Sequence, residues 1–214
     1  MRKEFRFLLS LFFYCLTGVG ISLTIKAGIG VSSFNSINVA LSTVLHWKVG
    51  VVTTLLNAVF LMVYMGLSGF RQPKKYVVQA IAVICLGKVI DFFTYEAFGG
   101  LVVDEYLQKV LMFVAGTGIA GLSTGMVLNL EVMAFPIESA CAELATKTGL
   151  AFSRIRYGVD IVSVTGSVLL SFLFRLPLFA REGTIISLFL LTAAITTAKK
   201  GYEKITCKEQ QLSS

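Results

Sequence analysis

Glu138 stands two residues after Pro136 in the run MAFPIESACAEL, an acid inside a chain that is 56% hydrophobic and only 14% charged. A carboxylate in such a place can hold a cation or an amine, or carry a proton coupled to transport. Its bland role is a favourable contact with the positive end of a helix that starts at Pro136. Arg156 and Asp160 lie four residues apart, and Lys88 and Asp91 three apart, spacings that put each pair on one helix face. Each pair is either a local ion pair or part of an ion or substrate relay, because charge within an apolar segment is costly and turns toward the interior, a partner or water. Arg156 has the further option of reaching back to the membrane surface. A second polar set can line a ligand site with hydroxyls and amides: Ser32, Ser33, Asn35, Ser36 and Asn38, with Asn57 and Ser139.

These residues fit binding better than catalysis. The sequence has no nucleophile elbow, metal-ligand cluster or glycine-rich phosphate loop, so neither an enzyme nor a cofactor or metal is expected. The glycines of GTGIAGLSTG, Gly116–Gly125, fall within an apolar span rather than after a strand, and their spacing suits close helix contact in lipid, as does that of Gly18 and Gly20. Cys15, Cys85, Cys141 and Cys207 show no CxxC spacing and read as small apolar residues. The single histidine, His46, has no convergent ligands, and Trp47 beside it suits an interfacial anchor. Glu143 reads as a residue facing water, and Glu182 as the start of the last span.

The elements that must position the polar groups are long apolar stretches. Soluble domains carry about 25% charged residues, so a soluble core is excluded. Phe7–Thr24, Val49–Ser68, Val77–Phe98, Tyr106–Leu130, Arg156–Phe174 and Thr184–Ala198 approach or exceed the roughly 20 residues that cross a bilayer. The last is the shortest. The expectation is one integral membrane domain, residues 1–214, with six spans and a cytoplasmic C-terminal tail at 201–214. Arg2, Lys3 and Arg6 before the first span resemble a signal peptide, but no clear cleavage site follows, and a retained helix is expected. The net charge of +7 is distributed as a topology signal. Arg71, Lys74, Lys75, Lys147, Arg154, Lys199, Lys200, Lys204 and Lys208 join the N-terminal cluster on one side, which places both termini in the cytoplasm. Nucleic acid is not an expected partner; the lipid bilayer is.

The chain also reads as two halves, about 5–98 and about 106–200. A shift of about 103 residues lays Gly18 on Gly121, Ser36 on Ser139, Leu41 on Leu144, Thr43 on Thr146 and Asn57 on Asp160. Each half has three spans, so the second is inverted relative to the first, a recurrent plan in secondary transporters with substrate near the midplane. After its first span each half carries a helix too short to cross, Asn35–Leu45 and Ile137–Thr148. Pro136 suits the first turn of the second, Ser33 is the expected N-cap of the first, and Gly149 is a helix end. These short helices are either interfacial or re-entrant, the latter meeting near the centre and offering free N–H groups to a ligand.

Several of these motifs, in order across nearly the whole chain, resemble the YczE/YitT-like group of bacterial integral membrane proteins: TIKAGIGVSSFNSINVALS, LLN ending at Asn57, IDFF from Ile90, FPIESA, ATKTG, RIRYGVD ending at Asp160 and REGTIIS from Arg181. The resemblance implies a small six-helix protein of the bacterial plasma membrane, with transport suspected for some members and no settled activity. It also implies departures in this chain: the group usually has proline where Ser33 stands, Gly-Pro where Thr192-Ala193 stand, and an uncharged residue at Lys88.

The expected function is a small-molecule transporter or permease with a central site. Its lining would come from Ser32, Ser33, Asn35, Ser36, Asn38, Pro136, Glu138, Ser139, Asn57 and Asp160, with Lys88, Asp91 and Arg156 as ion-pair or coupling residues. Two alternatives stand beside it: the substrate-binding membrane subunit of a multi-component vitamin importer, which would need a partner ATPase module, and a non-transporting accessory protein. A homodimer is a further possibility raised by small-residue helix faces.

Overall fold

The structure, a computed structural model, describes residues 3–212 and is helical throughout its regular elements. In chain order these are α1 (Lys3–Ala27), α2 (Ser33–Leu45), α3 (Val49–Leu67), α4 (Pro73–Asp91) continued by a π-helical turn (Phe92–Ala97), α5 (Tyr106–Leu130), α6 (Pro136–Thr148), α7 (Phe152–Leu173) and α8 (Glu182–Leu212). Six of them are long and apolar enough to cross a membrane, which makes this a multi-pass membrane protein. Their outer faces agree: Phe172 of α7 is 85% exposed and Leu107 of α5 67%, a surface that suits hydrocarbon and not water.

Several bounds differ from the sequence reading. The helix of the sixth span does not stop near Ala198, because α8 continues to Leu212 and takes in most of the expected tail. Hydropathy ends there, but Lys, Glu and Gln are good helix formers in water, so helix outlasts apolarity. The third span begins at Pro73, where proline occupies the first turn. It then widens into the π-helical turn after Asp91.

The halves repeat in backbone as well as in order. Advancing the bounds of α1 and α2 by the shift read from the sequence gives the bounds of α5 and α6, and the start of α3 gives that of α7. Left-handed backbone recurs too. Gly28 (φ 68°) corresponds to Glu131 (φ 54°), and His46 (φ 54°) to Gly149 (φ 70°). In each pair one half uses glycine, which enters this region without strain, and the other holds the same turn without it. Gly149 closes α6 by donating to the Ala145 carbonyl at 2.9 Å. Ser33 is the first residue of α2 rather than its cap; Ser32 precedes the helix in extended conformation, with no side-chain capping bond.

α1 and α5 form the centre and run antiparallel. Arg6, early in α1, donates to the Leu130 carbonyl at the end of α5, a favourable place for a cation. Midway, a Cβ on Gly20 would lie 2.6 Å from the Gly116 oxygen. At the other end Ala27 and Ile29 pack on Phe113. α4 then lies against α1, and α8 against α5. Gly18 rests on Leu86 and Val89, and Gly121 on Leu191 and Ala194. These glycines pack helices closely, as their spacing indicates.

The short helices cross over between the halves: α2 packs on α7, and α6 on α3. α2 buries a polar stripe, Ser33, Asn35, Ser36, Asn38 and Ser42. Two serine hydroxyls of this stripe bond locally, Ser36 to the Ser33 carbonyl at 2.7 Å and Ser42 to the Val39 carbonyl at 2.8 Å. Ser167 of α7 ties the stripe down by donating to the Ser36 carbonyl at 3.0 Å.

Candidate functional site

A cavity of about 1790 Å³ opens between the halves. Its walls come from α1 and α5, the start of α2, the middle of α3, and long stretches of α6, α7 and α8. The reason lies in helix pairing. α3 packs along α4, but α7 and α8 scarcely meet, and residues of both line the cavity.

The charged part of the wall is a three-residue cluster. Arg156 lies on the first turns of α7, and its four-residue spacing from Asp160 brings the guanidinium Nη1 to 2.6 Å from the carboxylate. Glu138, in the first turn of α6, reaches the same guanidinium, with Oε1 3.7 Å from Nε. All three side chains are about a fifth to a quarter exposed. Two carboxylates share one cation, so the cluster carries a net negative charge when all are ionised. The second oxygen of Glu138, Oε2, is enclosed and has no hydrogen-bond partner.

The neutral part of the wall holds further unsatisfied groups. Thr53 is 2% exposed and Thr117 3%, both line the cavity, and neither hydroxyl has a partner. Asn57 lines it one turn beyond Thr53, holding the Thr53 carbonyl through Nδ2 at 2.9 Å. Buried polar groups are nearly always paired; unpartnered atoms also occur away from the cavity, at Ser10, Tyr14, Gln79 and Thr94, and those at Thr53, Thr117 and Glu138 belong to residues of its wall. Most of the remaining wall is apolar, with Phe34, Phe135 and Ile137 near the short-helix starts. Behind Phe135 the Tyr14 ring stacks at 4.4 Å.

The sequence-derived candidates separate into three groups. Ser32, Ser33, Asn35, Asn57, Glu138, Ser139, Arg156 and Asp160 line the cavity. Ser139 also accepts a hydrogen bond from Gln79 of α4 at 2.9 Å. Ser36, Asn38 and Pro136 are buried behind the wall and not on it. Asn38 donates to Asn35 Oδ1 at 3.3 Å, and so orients a lining residue. Lys88 and Asp91 are elsewhere, and they form no ion pair: Asp91 Oδ1 instead accepts the Gly50 backbone N–H at 2.7 Å. Lys88 is exposed. Glu143 lines the cavity but is only half-buried, in keeping with a residue that faces water.

Sequence reasoning passed over the threonines. Thr53 precedes Asn57 by four residues, and Thr117 precedes Thr124 by seven, spacings that set each pair on one face of an apolar helix. That pattern was available. The link from Glu138 to Arg156 was not, because it depends on how α6 and α7 pack. Cys141 is buried and Cys15 and Cys85 half-buried, all free, while the Cys207 side chain lies outside the described residues.

A family profile described as a family of unknown function, DUF6198, matches residues 3–200, nearly all of the chain. The chain belongs to that family. The chain is also similar to the uncharacterized protein YyaS of Bacillus subtilis strain 168, 26% identical over 141 residues that cover 65% of this chain and 69% of YyaS. No solved structure matches. Neither finding names the YczE/YitT-like group that the motifs resemble, so the DUF6198 family is as far as membership is established.

Proposed function

We propose that this protein is a small-molecule transporter of the bacterial plasma membrane, with its substrate site in the cavity between two inverted three-helix repeats. The observation that carries the reading is a cavity built by both halves, holding a charged cluster and orphaned hydroxyls within a membrane bundle. Ionisable groups inside spans serve ion or substrate pathways by default. Broken or short helices aimed at a midplane site are a recurrent transporter feature. Inversion is supported by α1 and α5, equivalent helices that run antiparallel.

On this reading α2 and α6 are re-entrant rather than interfacial, since polar backbone and side chains at that depth need protein or a wet cavity around them. Both termini face the cytoplasm, following the basic residues. Because no nucleotide-binding motif accompanies the spans, movement would be driven by an ion, by exchange, or by a separate energy-supplying partner.

The test is uptake by proteoliposomes offered a mixture of amino acids, vitamins and organic ions, with the retained compounds identified by mass spectrometry. At least one should accumulate faster than in protein-free vesicles, and Asp160→Ala should lose that excess while remaining folded. Uniformly absent uptake, with no compound shifting the melting temperature, would favour an accessory protein. Uptake only alongside a copurified ATPase would favour the importer subunit.

A further inference from the structure

The charge and shape of the cavity narrow the class of ligand. With all three groups ionised, Arg156 neutralises one carboxylate of the pair Glu138 and Asp160, and one negative charge remains. The two other charged side chains on the wall, Glu143 and Lys200, oppose each other and leave that balance unchanged. An anion brought to this cluster would meet net repulsion in a partly desolvated place, where Coulomb energies are larger than in bulk water. Glu138 Oε2 is enclosed and without a donor, and an ionised carboxylate oxygen can only accept. The missing partner is therefore a donor, and a positively charged one makes the stronger bond.

Size and polarity suit an occupant larger than a bare ion. A volume of about 1790 Å³ is large even beside the roughly 300–1,000 Å³ typical of small-molecule sites. Its wall beside the cluster is apolar, with Phe34, Phe135 and Ile137. Thr53 and Thr117, nine-tenths buried and with unpartnered hydroxyls, add weak donor or acceptor capacity that a metal ion at Glu138 would not need.

We infer that the cavity binds an organic amine with an apolar body, its ammonium donating to the cavity-facing carboxylate of Glu138 and its hydrocarbon part lying on the aromatic and aliphatic wall. The inference rests on the transporter reading for its biological sense, but binding can be measured without transport. Asp160 keeps Arg156 from collapsing fully onto Glu138, and so acts as a positioning residue for the free oxygen.

The probes are 2-phenylethylamine, 2-phenylethanol and 3-phenylpropionate, matched in ring and chain and differing in charge. They are titrated against the purified full-length protein in detergent, with melting temperature and calorimetry as readouts. The amine should bind at least tenfold more tightly than the alcohol, and the carboxylate not at all. Glu138→Gln should remove the amine's advantage, while Glu105→Gln, an exposed change outside the cavity, should leave it intact. If Glu138→Gln does not give folded protein, Asp160→Asn carries the test, and a weakened amine preference is expected there too. Equal binding of alcohol and amine, preference for the carboxylate, no binding by any probe, or an amine preference that survives in the folded variants would overturn the inference. Sodium alone stabilising the protein, with no competition from the amine, would overturn it as well. Amine binding without flux in vesicles would leave this inference standing and remove the transporter reading. Flux of anions would do the reverse.

Discussion

The pair α3–α4 and its counterpart α7–α8 occupy matching places in the two halves, yet one is shut and the other open. In the shut pair Gly50 and Gly87 meet backbone to backbone, so close that a Cβ on either would strike the other's carbonyl oxygen. Asp91 then latches the contact by accepting the Gly50 N–H at 2.7 Å. The matching helix contacts, Leu86 and Val89 under Gly18, Leu191 and Ala194 under Gly121, equate Gly87 with Thr192 and Asp91 with Thr196. Opposite them, Ser153 takes the place of Gly50. The second half therefore has side chains where the first has bare backbone, and no carboxylate to latch. Thr192, Thr196 and Ser153 all face the cavity. Small residues decide which side of the molecule closes, and the cavity is where they are missing.

The sharpest way to break this contrast is Gly87→Thr, which writes the open half's residue into the shut one. Overpacking a close helix contact costs about 1–3 kcal/mol. In a chain of this size that lowers the melting temperature by roughly 2 to 12 °C, followed by fluorescence in detergent. The reverse change, Thr192→Gly, should let α8 approach α7. A cysteine placed at Thr165 on the cavity wall, in a background freed of native cysteines, should then react severalfold more slowly with a membrane-impermeant maleimide. Unchanged labelling would show that the threonine does not hold the helices apart. The smallest effect belongs to Gly158→Ala on α7. A Cβ there meets nothing within 4 Å, so the variant should gain at most about 1 kcal/mol from helix propensity, again read as melting temperature. A loss comparable to that of Gly87→Thr would mean that α7 is packed on this side after all.

Much of the fold was legible because lipid imposes simple demands. Six apolar runs gave six long helices, and Pro136 and Gly149 marked the ends of α6 through fixed backbone preferences. The site was legible only in part. Arg156–Asp160 could be read from spacing, since one helix holds both. Lys88–Asp91 has similar spacing and failed, because a backbone N–H on α3 competes for the aspartate and has no signature in sequence. Glu138 was found as an oddity of composition, but its partner sits on another helix. Ser36, Asn38 and Pro136 lie behind the wall for a similar reason: polar type shows that a side chain needs company, and packing alone decides whose.

The crossing of Gly20 over Gly116 also sets a mechanical limit. With the two backbones almost in contact, α1 and α5 have no layer of side chains on which to slide. A motion that carries α1 against α5 turns about that point, as on an axle. The parts nearest it barely travel, and those farthest along the two helices sweep the longest arcs. A lever with its fulcrum at the centre moves its ends most and its middle least.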